Sequence, residues 1–112
     1  MPDHPRPGVP VRGSTTGRPL MAALDLLGQR WTLRVIWELR DDALGFRELQ
    51  RRCENMSSSV LSTRLASLMD AAIVHLEDDG YYLAPLGKDL IAALGPLQSW
   101  AGTWETTLQN KA

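Results

Sequence analysis

The chain has 112 residues, 44% of them hydrophobic, and a formal net charge of −1. Those values fit one domain with a single modest core and exclude a uniformly basic nucleic-acid carrier, so any DNA contact must rest on local charge. The single cysteine, Cys53, cannot form an intrachain disulfide, and no run approaches the roughly 18 apolar residues of a membrane span. The N-terminus has Asp, His, Pro and Arg where a signal peptide needs an apolar stretch, so a cytoplasmic protein without a membrane partner is expected.

Residues 1–19 hold five of the seven prolines together with Gly8, Gly13 and Gly17, which predicts a flexible arm ahead of a domain spanning 20–110. A short helix is expected over Leu20–Leu27, closed by Gly28 in the left-handed conformation. A second helix follows over Gln29–Arg40. Its polar residues Arg30, Arg34 and Glu38 form one stripe, so it should be buried on most sides. Asp41, Asp42 and Gly45 break the pattern, and Phe46, Leu49 and Cys53 then mark a short amphipathic helix whose other face carries Arg47, Arg51 and Arg52.

Ser57 is a natural N-cap for a helix reaching Ala72, with Leu61, Leu65 and Leu68 as its buried stripe. Two β-prone runs, Ile73–Glu77 and Tyr81–Ala84, flank Asp78-Asp79-Gly80, a hairpin signal. Beyond Pro85, the residues Leu90, Leu94, Leu97, Ala101, Trp104 and Leu108 alternate spacings of four and three, the rhythm of a helix-helix seam. Gly95 and Pro96 predict a kink or break in that last helix.

This order defines a mainly α fold with a small β-hairpin, a winged helix-turn-helix ending in a long helix suited to dimerisation. In such folds the second motif helix offers side chains to the major groove. Here Ser57, Ser58, Ser59, Ser62, Thr63 and Arg64 are the candidate DNA contacts, placed opposite the leucine stripe, with Arg47 and Arg51 ahead of them. Residues 43–64 carry four arginines against Glu48 and Glu54, so positive charge collects where phosphate would lie. Arg64 could pair with guanine or bind a phosphate, and both roles stay open.

The stretch from Leu20 to Trp104 resembles the HxlR-type regulators, a family of bacterial dimeric transcription factors in the MarR-like group. The resemblance is carried by Gly28-Gln29-Arg30-Trp31-Thr32-Leu33, by Gly45-Phe46-Arg47-Glu48-Leu49 and by Ser57 with Leu61, Arg64, Leu65 and Leu68. Leu86-Gly87-Lys88-Asp89-Leu90 and Trp100 complete it. It implies a homodimer joined through the first and last helices, with Leu24 in the interface beside the seam residues. Trp100 and Trp104 would be its anchors unless they complete the protomer's own core. It also implies two recognition helices in successive major grooves and, more commonly than activation, repression.

Two departures stand out. The cysteine that many members carry before the first helix is absent, and Cys53 reads as a small core hydrophobe rather than a redox switch. The wing has Glu77, Asp78 and Asp79 and no Lys or Arg, with His75 near a position often held by arginine. The expected function is therefore a regulator that binds double-stranded DNA as a homodimer, with a small-molecule effector as a further candidate partner. The alternative is a winged-helix module for a protein or ligand without tight DNA binding. With only His4 and His75, no phosphate-binding glycine loop and no metal-ligand spacing, neither a catalytic residue, a metal site nor a cofactor is expected.

Overall fold

A computed structural model describes residues 4–111. Helix α1 spans Pro19–Leu27 and starts with proline in its first turn, where the missing N–H costs nothing. It ends at Gly28 with φ −78°, not in the left-handed conformation expected there. The glycine is needed for closeness instead, since a Cβ at this position would lie 2.9 Å from the Leu24 carbonyl oxygen. The left-handed residue is Trp31, with φ 74°, so α2 begins later than expected and covers only Thr32–Glu38. Nor is α2 buried on most sides: Val35, Ile36 and the following Leu39 enter the core, whereas Leu33 is exposed and Trp37 half-buried.

Helix α3 (Phe46–Arg52) and helix α4 (Ser58–Asp70) pack their apolar stripes onto that core. Leu49, Cys53, Met56, Leu61, Leu65 and Leu68 join Val35, Ile36, Ile73, Val74 and Leu83 in one continuous cluster. Cys53 is fully enclosed, and burial pushes its thiol up, which keeps it protonated and unreactive near neutral pH.

At the end of α4, the Ile73 N–H donates to the Leu68 carbonyl at 2.9 Å and the Ala72 N–H to the Met69 carbonyl at 3.1 Å. This double closure puts Ala72 at φ 63°, a position that glycine fills without steric cost. Ala72→Gly is expected to raise stability by about 0.5–1 kcal/mol, the left-handed penalty less the entropy that glycine adds to the unfolded chain. An unchanged or lower urea midpoint at constant slope would count against it.

Strands β1 (Val74–Glu77) and β2 (Gly80–Leu83) pair antiparallel, Val74 opposite Leu83 and Glu77 opposite Gly80. The connecting residues are Asp78 and Asp79, and Asp78, not Gly80, takes the positive φ. Leu44 adds a bridge on the other edge of β2, exchanging hydrogen bonds with Tyr81 at 2.9 and 2.8 Å. Helix α5 then runs from Pro85 to Gln109. Of the kink or break expected at Gly95-Pro96, the break does not occur, and α5 is continuous through both residues. Both residues are exposed and nothing lies within 4 Å of a Cβ on Gly95, so water can serve the carbonyl that proline leaves unpaired.

Residues 4–18, expected as an arm, lie against α1 and α4. The Gly8 N–H donates to the Gly17 carbonyl at 2.9 Å, and Val11 bridges Ser14. Arg6 pairs with Asp70 at 3.1 Å, and His4 bonds Ser67.

Candidate nucleic-acid interface

The turn between α3 and α4 is tight because two consecutive non-glycine residues are left-handed, Glu54 at φ 60° and Asn55 at φ 56°. Two hydrogen bonds and one buried side chain hold it. The Asn55 N–H donates to the Gln50 carbonyl at 2.9 Å, the Gln50 amide donates to the Met56 carbonyl at 2.9 Å, and Met56 plugs into the core. Arg34 braces the turn from α2, donating to the Arg52 carbonyl at 2.8 Å and pairing with Glu38 at 2.9 Å and Glu54 at 3.3 Å. Arg34 and Glu38 share one stripe of the helix, but the reach of Arg34 to α3 is not visible in the sequence.

Ser57 caps α4 by accepting from the Val60 N–H at 3.4 Å, and its hydroxyl shares a hydrogen with that of Ser59 at 3.0 Å. Ser58, Ser59, Ser62 and Thr63 all stand exposed on the face away from Leu61, Leu65 and Leu68. Thr63 donates its hydroxyl hydrogen to the Ser59 carbonyl at 2.9 Å, which leaves acceptor capacity outward. Short hydroxyls let a helix approach base edges closely and can bond to any base.

Arg64 departs from the expected placement. One helical turn from Val60 and Leu68, it stands on the flank of α4, half-buried, and its Nε donates to the Arg30 carbonyl at 2.6 Å. The contact brings Arg30, which sequence reasoning passed over, beside α4; its guanidinium sits 6.0 Å from the Trp31 ring centre. The only signal for it was the Gln29-Arg30-Trp31 run.

The arginines of α3 are unequal. Arg51 and Arg52 converge on Glu48, Arg51 Nε at 3.0 Å and Arg52 Nε at 3.0 Å, and these hydrogen bonds, Arg51's first, hold the Glu48 carboxyl below the ordinary carboxylate range. Arg47 is exposed and has no ion-pair partner among the described residues. The arginines near α4 whose charge no carboxylate offsets among the described residues are therefore Arg30, Arg47 and Arg64. On the wing, His75 packs against Tyr82 with ring centres 3.6 Å apart and planes tilted by 56°, and the Tyr82 hydroxyl donates to Glu77 at 2.9 Å. Asp78 and Asp79 remain exposed beside them.

The residues expected at a dimer interface fall in two groups. Leu90 is half-buried against the protomer's core and Leu94 half-buried beside α2, while Leu24, Leu97, Ala101, Trp104 and Leu108 are exposed. Trp100 and Trp104 are 56% and 53% exposed and stack on each other at 5.5 Å, so neither completes the protomer's own core.

Two helices joined by a tight turn, the second capped and presenting hydroxyls, then a two-stranded wing, define a winged helix-turn-helix DNA-binding protein. The profile described as HxlR-like helix-turn-helix matches residues 26–109, and the chain belongs to that family. It is 30% identical over 89 residues to the uncharacterized HTH-type transcriptional regulator YvaP of Bacillus subtilis, covering 73% of this chain and 82% of YvaP. Among solved structures, quinone-bound YodB of B. subtilis matches with a TM-score of 0.71 at 30% identity, over 75% of this chain and 94% of YodB. A MarR-family transcriptional regulator of Enterococcus faecalis V583 matches with a TM-score of 0.72 at 27% identity, over 79% and 86% of the two chains. The protein is thus a DNA-binding transcriptional regulator. No helix among the described residues is long and apolar enough to cross a membrane.

Proposed function

We propose that the protein is a cytoplasmic homodimer that represses transcription by seating two copies of α4 in successive major grooves of double-stranded DNA, acting by binding and without catalysis. The observation that carries this reading is the face of α4, where Ser58, Ser59, Ser62 and Thr63 stand exposed together above a fully buried leucine stripe. Arg47 supplies a phosphate contact from α3, with Arg51 in a lesser role because Glu48 offsets its charge. Arg64 acts through the Arg30 carbonyl and orients α4. The acidic wing adds no attraction for phosphate, so one α4 binds weakly and the dimer supplies the second.

The dimer forms through α1 and α5. Leu20 and Leu24 on α1, and Leu97, Trp100, Trp104 and Leu108 on α5, are large apolar residues left in water in the single protomer. Beside them, Leu33, Trp37, Leu94, Leu97 and Ala101 line an apolar groove of about 430 Å³ between α2 and α5. A small apolar effector entering it would act on the dimer directly, and the solved relative YodB carries a quinone.

The test is a titration with a duplex selected from a random pool and with an unrelated duplex, at several salt concentrations. A specific regulator discriminates between them by ~10³ or more. Ser62→Ala should weaken the selected duplex about tenfold and leave the unrelated one alone, whereas Arg47→Ala should weaken both and lower the salt slope by about one. Equal, weak binding to both duplexes would favour the alternative, a winged-helix module for a protein or ligand.

A further inference from the structure

Residues 4–18 lie outside the stretch matched by the family profile, yet they have defined contacts on the recognition helix. The segment closes into a loop. Gly8 bonds Gly17, Val11 and Ser14 exchange backbone hydrogen bonds at 2.9 and 3.1 Å, and Gly8, Gly13 and Gly17 all take positive φ. Closure depends on Gly17, which is buried at φ +72°; a Cβ there would lie 2.1 Å from the Val9 carbonyl oxygen and 2.6 Å from its nitrogen.

Three tethers fix the loop to the domain. His4 bonds the buried hydroxyl of Ser67, and Arg6 pairs with Asp70, both on the C-terminal half of α4. Across the loop, the Arg12 N–H donates to Asp25 of α1 at 3.2 Å. Asp70 is the only acid on α4, and Arg6 offsets it. Between the tethers, Pro5 and Pro7 roof a cavity of about 520 Å³ whose floor includes Ala22, Leu26 and Ile73. The contacts thus join α4 to α1 across a space that core side chains leave unfilled.

We propose that residues 4–18 are a strap that clamps the C-terminal half of α4 to α1, and that the closed strap raises DNA affinity by holding the recognition helix in place and offsetting Asp70. The second half rests on α4 being the DNA-contacting helix; the clamp itself does not. An exposed ion pair such as Arg6–Asp70 contributes little alone, so the strap acts through its tethers together.

The test measures amide hydrogen exchange and binding of the selected duplex in the full chain and two variants. Gly17→Ala opens the loop without touching any tether; Arg6→Gln removes one tether and keeps the loop's backbone. In Gly17→Ala, exchange at Ala71 and Ile73, whose N–H groups bond Ser67 and Leu68, should quicken by about tenfold or more while DNA affinity falls by roughly three- to tenfold. Arg6→Gln should move both readouts the same way by smaller factors, and it decides the matter if Gly17→Ala does not fold. Unchanged exchange at the end of α4 overturns the clamp. Faster exchange with unchanged DNA affinity overturns its coupling to DNA. A failure of the α4 reading itself is distinct, because Ser62→Ala would then leave binding of the selected duplex unchanged whatever the exchange result.

Discussion

Replacing Trp100 and Trp104 together with alanine is expected to convert the proposed homodimer to protomers at micromolar concentration, with far-UV dichroism per chain unchanged. Both rings stack in the open on α5 and are more than half exposed in the single chain, so the protomer's core does not use them. Truncating a buried interface aromatic commonly costs ~2 kcal/mol or more, and a homodimer loses each ring twice, so the double substitution should raise the dimer dissociation constant by at least about 10³-fold. Affinity for the selected duplex should fall with it, since a single α4 beside an acidic wing has too few contacts. Sedimentation velocity reads the first effect. A variant that stays dimeric would move the interface off α5, and one that unfolds would return the tryptophans to the core.

Gly87→Ala is the second large effect. Gly87 is the one fully buried residue of α5, in the turn that brings this helix back against the wing. A Cβ there would lie 2.3 Å from the Ile73 carbonyl oxygen and 3.1 Å from a Leu83 methyl. That carbonyl already accepts the Ala84 N–H at 2.9 Å, so it cannot retreat without loosening the joint between wing and helix. Overpacking against backbone sits at the upper end of the usual range, about 3 kcal/mol, which for a domain this size lowers Tm by roughly 10–20 °C. A shift within a few degrees of wild type in a thermal melt would show that the α5 turn has slack.

Features governed by local pattern were legible in the sequence. Ser57 as cap, the stripe of Leu61, Leu65 and Leu68, and the hairpin around Asp78 need only neighbours a few residues away, and they were found within a residue or two. Arg64 was misplaced because its partner, the Arg30 carbonyl, is 34 positions distant and a helical pattern does not report flank contacts. Trp31 was missed as a left-handed residue because bulky side chains rarely adopt that backbone and glycine stood close by as the obvious candidate. Gly95-Pro96 predicts a kink or a break, and the helix does not break because on an exposed helix with water at hand the lost bond is tolerable. The packing of residues 4–18 was unreadable because their glycines and prolines look like a solvated tail until Gly17 is seen to lie against Val9.

The central claim is that two copies of α4 read DNA together. Hydroxyl-radical footprinting of the protein on its selected duplex tests this most directly. Two protected patches are expected, their centres about one helical turn apart, ~34 Å or 10–10.5 base pairs. A single patch at saturating protein would contradict it.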